Sequence, residues 1–118
     1  MSLDVDLMVT MPTSVYTSNI THNLGKMASA VEFGVEAEEA GLTLYHVLWR
    51  PDEHGFKYAK DISDLLDIGW CILLADPEKF KAYNPENGWG SYEGLCNFVY
   101  HYRNACWDNP EAELSISR

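Results

Sequence analysis

This chain of 118 residues is 47 % hydrophobic and 13 % aromatic, a composition that predicts one globular domain over residues 1–118 and no long disordered segment. Its 18 acidic and 8 basic side chains give a formal charge of −10, which repels phosphate backbones and argues against nucleic-acid binding. No apolar run approaches the roughly 20 residues that span a bilayer, and no basic and apolar leader opens the chain, so we expect a soluble cytoplasmic protein without membrane contact.

The first part of the chain predicts one strand and one helix. Apolar and polar side chains alternate over residues 3–11, which is typical of a half-buried strand. A polar connection over residues 12–18 follows. Apolar side chains then recur at spacings of three and four over residues 20–31, which predicts a helix. Ser18 or Asn19 can cap it.

The middle of the chain predicts two further helices. Glutamates interrupt the apolar pattern over residues 35–41, which we interpret as an acidic surface excursion. Residues 42–49 form a short apolar segment with helical spacing. Residues 57–75 carry the clearest helical pattern of the chain.

The last part predicts two helices and a strand. An Asp-Pro pair starts a short helix over residues 77–82, and Ser91 caps a longer one that ends near residue 108. Residues 113–117 alternate again as a strand. This order predicts an α+β fold, with three to five helices packed against a small sheet of the N- and C-terminal strands. These strands pair with each other or with a second subunit.

The cysteines indicate neither a disulfide framework nor a metal centre. Cys71, Cys96 and Cys106 are odd in number and form no C-x-x-C pair, so we expect reduced thiols. The sequence also lacks the P-loop, G-x-G-x-x-G, H-E-x-x-H and G-x-S-x-G signatures. We therefore predict no metal and no other cofactor, and the sequence names no reaction.

Thr21, His22 and Asn23 form the first group of candidate ligand-binding residues. They fall in the first turn of the predicted helix over residues 20–31, and His22 lies nearly opposite its apolar face. An exposed histidine there can contact a ligand or act as a general base. The alternative is a surface histidine bonded to a neighbouring loop.

Trp49 and Arg50 form the second candidate group. A guanidinium beside an indole can clamp a carboxylate or phosphate while the ring stacks on a base. The alternative is an ion pair within the chain, with Asp52, Glu53 or another acid.

The polar stretch over residues 84–92 forms the third candidate group. Asn84, Asn87 and Trp89 can present amides and an aromatic face to a small molecule. The alternative is that the asparagines only shape the turn and that the indole closes the core. In either case we expect the fold to need Trp89, because an indole between two glycines has little alternative to packing.

One flank of the last predicted helix is a candidate interface. Tyr100, Arg103 and Trp107 lie there, off the apolar stripe, and aromatic rings with arginine are typical of interfaces. We predict a homodimer in which Arg103 meets an acidic side chain of the neighbouring subunit. The alternative is a flank covered by the chain's own C-terminal segment.

Three strings and the last two residues carry a resemblance: SNITHNL at residues 18–24, LWRPDE at 48–53, NPENGWGSY at 84–92, and Ser117-Arg118. In combination they resemble a group of small uncharacterised proteins found in bacteriophages, prophages and bacterial genomes. The chain departs from that group's pattern between residues 28 and 42. The resemblance implies no activity, but it implies that the three candidate groups meet at one site.

Three functional hypotheses follow. The first is a non-enzymatic phage-type accessory protein that binds a small polar or anionic ligand, such as a nucleotide-like molecule. The second is a small enzyme that uses His22 as acid or base, with Arg50 holding an anion. The third is a protein–protein interaction module whose polar strings are only caps and turns.

Overall fold

The computed structural model of the protein describes residues 2–10, 13–33 and 41–118. Within them the chain forms the strands β1 (Ser2–Thr10), β2 (Thr13–Thr21) and β3 (Glu113–Ser117), and the helices α1 (Gly25–Ser29), α2 (Leu44–Trp49), α3 (Ala59–Ala75), α4 (Pro77–Lys81) and α5 (Tyr92–Asp108). Two 3₁₀ segments, His22–Leu24 and Pro51–His54, complete the described elements. The fold is α+β with strands at both ends of the chain, as predicted.

The sheet is antiparallel, with the strand order β2-β1-β3. The terminal strands pair with each other, as expected, and place Leu7 opposite Leu114. Because side chains alternate along a strand, Leu3, Val5 and Leu7 all point to the helical side, where they are completely buried. The sheet therefore forms the floor of the core and the helices cover it.

The edge strand β2 was not predicted. Residues 12–18 were expected to be a polar connection that leads into a helix, and this prediction is wrong because Thr13–Thr21 form a strand. Ile20 fits both patterns, since it precedes Leu24 at helical spacing and also alternates along the strand. The structure pairs Ile20 with Leu3 of β1, and α1 does not begin until Gly25.

The later elements agree with their periodic patterns. The helix predicted over residues 57–75 is α3, and the short helix predicted over residues 77–82 is α4. Ser91 caps α5, since its hydroxyl oxygen accepts a hydrogen bond from the backbone N of Gly94 at 3.0 Å. Residues 11 and 12 and most of the predicted acidic excursion, residues 35–40, lie outside the described residues.

Tyr102 on α5 has a buried hydroxyl group that finds no partner in the described residues. Its ring is completely buried and stacks on Tyr16 of β2 with the centroids 6.0 Å apart. The hydroxyl group forms no hydrogen bond within the described part of the chain. Burial raises the pKa of Tyr102 well above its usual value. The ring contributes to packing, but the hydroxyl group carries a desolvation cost.

We expect Tyr102→Phe to raise the free energy of unfolding by about 1 kcal/mol, because it removes an unsatisfied polar group and keeps the ring. Tyr92→Phe is the matched control, since the Tyr92 hydroxyl donates to the carbonyl oxygen of Leu73 at 2.6 Å. That variant should lose about 1 kcal/mol. Urea unfolding measures both changes. A loss of stability in Tyr102→Phe would show that the Tyr102 hydroxyl group does have a hydrogen-bond partner.

Candidate functional site

The loop between α4 and α5 is held in shape by its own asparagine side chains. The Asn84 Oδ1 atom accepts a hydrogen bond from the backbone N of Tyr92 at 2.8 Å. The Asn87 Oδ1 atom accepts one from the backbone N of Trp89 at 2.9 Å. Both asparagines therefore brace the turn, which was one of the two interpretations of the sequence.

The same loop docks against the 3₁₀ turn that follows β2. The Asn23 Nδ2 atom donates to the carbonyl oxygen of Trp89 at 3.3 Å. Gly90 approaches so closely that a Cβ atom there would lie 2.8 Å from Cγ2 of Thr21 and 3.0 Å from Cγ of Leu24. The first and third candidate groups thus meet in space.

Trp89 itself projects away from the protein. Its side chain is 71 % exposed, so the expectation that the fold buries this indole is wrong. The physical reason is that Gly90, and not the indole, supplies the close contact with the body of the protein. A large aromatic ring is therefore displayed to solvent on a loop whose backbone is fixed by hydrogen bonds.

His22 lies at the centre of the region and is only partly exposed. Its ring meets the ring of Trp49 edge to face, with the centroids 6.1 Å apart. The buried Nε2 atom finds no hydrogen-bond partner among residues 2–10, 13–33 and 41–118. His22 begins a 3₁₀ turn and does not lie inside a longer helix. The bond to a neighbouring loop, which was the alternative interpretation, is not formed in the described residues.

Three cavities share His22 as a wall. The first, about 750 Å³, is lined also by Ser2, Asn19, Thr21, Asn23, Asn87 and Trp89. The second, about 480 Å³, is lined by Asn23, Lys26 and residues 82–86. The third, about 620 Å³, contains Lys26, Tyr45 and Tyr83 in its wall. We call these three cavities together the His22 concavity.

The second candidate group divides between the core and the surface. Trp49 is buried and stacks on Tyr45, with ring centroids 5.3 Å apart. The Arg50 Nη1 atom forms an ion pair with Oε2 of Glu53 at 3.1 Å, and a hydrogen bond to Tyr45 is the main cause of the raised pKa of Arg50. Arg50 lines none of the three cavities. The structure thus shows the ion pair within the chain for Arg50 and a supporting position for Trp49.

Two contributors to the site were not among the predicted residues. Lys26 and Tyr83 each line two of the three cavities. Lys26 follows His22 by four residues, a spacing that places both on one side of a helical turn, so this signal was available in the sequence. Tyr83, which is 43 % exposed, follows a short helix and had no distinguishing pattern.

Arg118 secures the segment that follows Trp49. Its Nη1 atom donates to the carbonyl oxygen of Trp49 at 3.1 Å and to Oδ1 of Asp52 at 2.7 Å. The hydrogen bond from Arg118 is the main cause of the lowered pKa of Asp52. The residue that follows β3 therefore helps to position the end of α2, where Trp49 contacts His22.

The predicted interface residues surround a buried guanidinium group. Arg103 pairs through Nη1 with Oδ1 of Asp67 at 2.9 Å, and its guanidinium carbon lies 4.6, 5.0 and 4.4 Å from the ring centroids of Trp70, Tyr100 and Trp107. The prediction that Arg103 meets an acid of a neighbouring subunit is wrong, because α3 of the same chain supplies that acid. The rings of Tyr100 and Trp107 remain exposed.

α2, which carries Trp49, begins at a cap that requires a neutral histidine. The Nδ1 atom of His46 accepts a hydrogen bond from the backbone N of Thr43 at 3.0 Å. Burial, followed by the effect of His54, lowers the pKa of His46, while Glu53 acts in the opposite direction. The ring centroids of the two histidines are 4.9 Å apart. A proton on Nδ1 would remove the acceptor and break the cap.

We expect the free energy of unfolding to decrease as the pH falls below 6.5, the ordinary pKa of histidine. Because the pKa of His46 is lower in the folded chain, the unfolded chain binds this proton first. The stabilisation by neutral His46 is complete above the pKa of the unfolded chain and is lost as the pH falls through the pKa of the folded chain.

His46→Gln keeps an acceptor at this position. Urea unfolding between about pH 7.5 and 5.5 should show a smaller change for the variant. Equal changes in both proteins would contradict the role of His46.

The described residues offer no metal centre and no membrane span. In residues 2–10, 13–33 and 41–118, no three side chains of His, Cys, Asp or Glu come together as possible metal ligands. None of the helices in these ranges is both long enough and apolar enough to cross a bilayer.

Comparison of the chain with models of protein families, with curated protein sequences and with solved structures finds no match.

Proposed function

We propose that this protein is a non-enzymatic binding protein that holds a small polar ligand in the His22 concavity. The observation that carries the proposal is the 71 % exposed indole of Trp89, which stands at one wall of that concavity on a braced loop. Exposing a large aromatic ring forgoes the stability that its burial would give, by about 1.5 to 3 kcal/mol. A ring displayed in this way is preorganised to stack on a ligand.

The polar groups around Trp89 support the same proposal. The cavity of about 750 Å³ is lined by amide, hydroxyl and imidazole groups and one aromatic ring. Ligand sites combine an aromatic surface with a few placed polar groups in this way. His22 adds an imidazole ring to the cavity wall. Its Nε2 atom is buried without a hydrogen-bond partner among the described residues, so a ligand would meet the exposed part of the ring.

The geometry favours binding over catalysis by His22. A catalytic histidine is commonly oriented by a carboxylate or a backbone carbonyl on its second nitrogen. No group of that kind bonds to His22 in the part of the chain that the structure describes. Arg50, the expected anion holder of the enzyme hypothesis, is paired with Glu53 and lies outside the cavity walls.

We expect Trp89→Ala to abolish ligand retention and to change the free energy of unfolding by less than about 0.5 kcal/mol, because the ring is mostly exposed. Native mass spectrometry of protein purified from its natural source measures retention, and urea unfolding measures stability. Trp107→Ala is the control for retention, since Trp107 is 47 % exposed and lines none of the three cavities. Its own free energy of unfolding should fall, because its ring lies 4.4 Å from the guanidinium carbon of Arg103. Equal retention by the two variants would refute the proposal.

The biological setting is part of the proposal. The strings around His22 and Trp89 are those that carry the resemblance to phage and prophage proteins, and an accessory protein of that kind would capture a host metabolite or signal in the host cytoplasm. The homodimer stays a prediction from the sequence, with the exposed rings of Tyr100 and Trp107 as its surface.

A further inference from the structure

Lys26 is distinguished from every other basic side chain of the described residues. Five of the eight basic side chains form ion pairs: Arg50, Lys57, Lys60, Arg103 and Arg118. The ammonium groups of Lys79 and Lys81 lie over the rings of Phe80 and Tyr92, 5.2 and 5.7 Å from their centroids. Lys26 has neither kind of partner in residues 2–10, 13–33 and 41–118. In a chain with a net charge of −10, Lys26 therefore places a positive charge at a cavity wall with no acidic partner in these residues.

The His22 concavity has an uncharged end and an end that carries Lys26. Among the described residues, the wall of the cavity beside Trp89 contains no Lys, Arg, Asp or Glu side chain. Lys26 lines the other two cavities, and His22 lies between the two ends because all three cavities share it. Glu86 and Glu32 each line one of the two cavities that contain Lys26, but neither forms an ion pair with it in the described residues, so the ammonium group keeps its charge for a ligand. The arrangement suits a ligand with a neutral part and an anionic part.

The amide groups beside Trp89 keep both donor and acceptor capacity. Asn23 uses Nδ2 to bond the carbonyl oxygen of Trp89 and keeps Oδ1 as an acceptor. Asn87 uses Oδ1 to accept from the backbone N of Trp89 and keeps Nδ2 as a donor. An acceptor and a donor that line the same cavity as an exposed indole complement the edge and the face of a nucleobase.

We infer that the ligand is a mononucleotide, with its base stacked on Trp89, its phosphate at Lys26 and its sugar beside His22. This inference rests on the proposed function and adds the chemical class of the ligand. The chain's net charge of −10 opposes long nucleic acids, whose many phosphates it repels. A single phosphate needs only the one cation that the concavity supplies.

Isothermal titration calorimetry at low ionic strength tests this assignment, with AMP, GMP, CMP and UMP and the matching nucleosides as probes. We expect at least one mononucleotide to bind the wild-type protein. Lys26→Gln should weaken that nucleotide about tenfold and leave its nucleoside unchanged, because it removes only the contact with the phosphate. Trp89→Ala should weaken the nucleotide and the nucleoside by the same factor. Lys79→Gln, the control, should leave all affinities unchanged.

The outcomes separate the ligand class from the proposed function. If no mononucleotide binds at millimolar concentration, but native mass spectrometry shows a ligand that Trp89→Ala loses, the mononucleotide assignment is overturned and the binding function stands. If Lys26→Gln binds the nucleotide as tightly as the wild-type protein does, the phosphate position is overturned. If neither experiment detects a ligand, both proposals fail.

Discussion

Replacing Arg103 with alanine is expected to lower the free energy of unfolding by about 3 kcal/mol. The guanidinium group is buried between the rings of Trp70, Tyr100 and Trp107 and pairs with Asp67, so its removal takes away the common partner of four side chains. The loss includes packing as well as charge, because the arginine stem covers apolar surface. Urea unfolding monitored by tryptophan fluorescence measures the change.

Two variants separate the rings from the ion pair. Asp67→Asn should lose less than about 1 kcal/mol, since the Asp67 side chain is 38 % exposed and the ion pair is partly screened by water. Arg103→Lys should fall between the two, because an ammonium group cannot stack on flat rings as a guanidinium does. If Arg103→Ala lost no more than Asp67→Asn, the three rings would not depend on the guanidinium group.

Replacing Gly90 with alanine is expected to cost about 2 to 3 kcal/mol and to displace the loop that carries Trp89. The φ angle of Gly90 is +109°, which disfavours any side chain, and a Cβ atom would lie only 2.8 Å from Cγ2 of Thr21. The displaced loop would also lose the hydrogen bond from Asn23 to the carbonyl oxygen of Trp89. We therefore expect ligand retention to fall together with stability.

Gly88→Ala is the matched control for Gly90. Its φ angle is +76°, but a Cβ atom there meets nothing within 4 Å. The variant should pay only the left-handed backbone penalty, about 1 to 2 kcal/mol, and should keep the loop docked. Urea midpoints and native mass spectra of the two variants give the comparison. Equal losses in both would show that the contact between Gly90 and the 3₁₀ turn does not hold the loop.

The sequence predicted most of the fold wherever one pattern was clear. α3 and α5 have long apolar stripes with caps, and β1 and β3 alternate with period two, so both periodicities were readable. β2 was missed because Thr17 and Asn19 on its exposed side have the composition of a loop. Ile20 also satisfied two periodicities at once, and only its pairing with Leu3 decides between them.

The candidate site was predictable only in part. The meeting of the first and third candidate groups followed from a resemblance, and the structure brings them together through Gly90 and Asn23. The exposure of Trp89 could not be predicted, because it depends on a contact between segments far apart in the sequence. For Arg50 the sequence allowed either an anionic ligand or an acidic side chain of the same chain. The structure pairs it with Glu53, three residues further on.

The tryptophan indole N–H signals in a ¹H–¹⁵N NMR spectrum test the central claim most directly. A deproteinised extract of the natural host is added to labelled protein, and each indole signal is assigned by a Trp→Phe variant. We predict a saturable shift of the Trp89 signal and of the Asn23 and Asn87 side-chain amide signals, with the Trp70 and Trp107 signals unchanged. A Trp89 signal that does not move at any extract concentration, or that moves only together with those of Trp70 and Trp107, would contradict ligand binding in the His22 concavity.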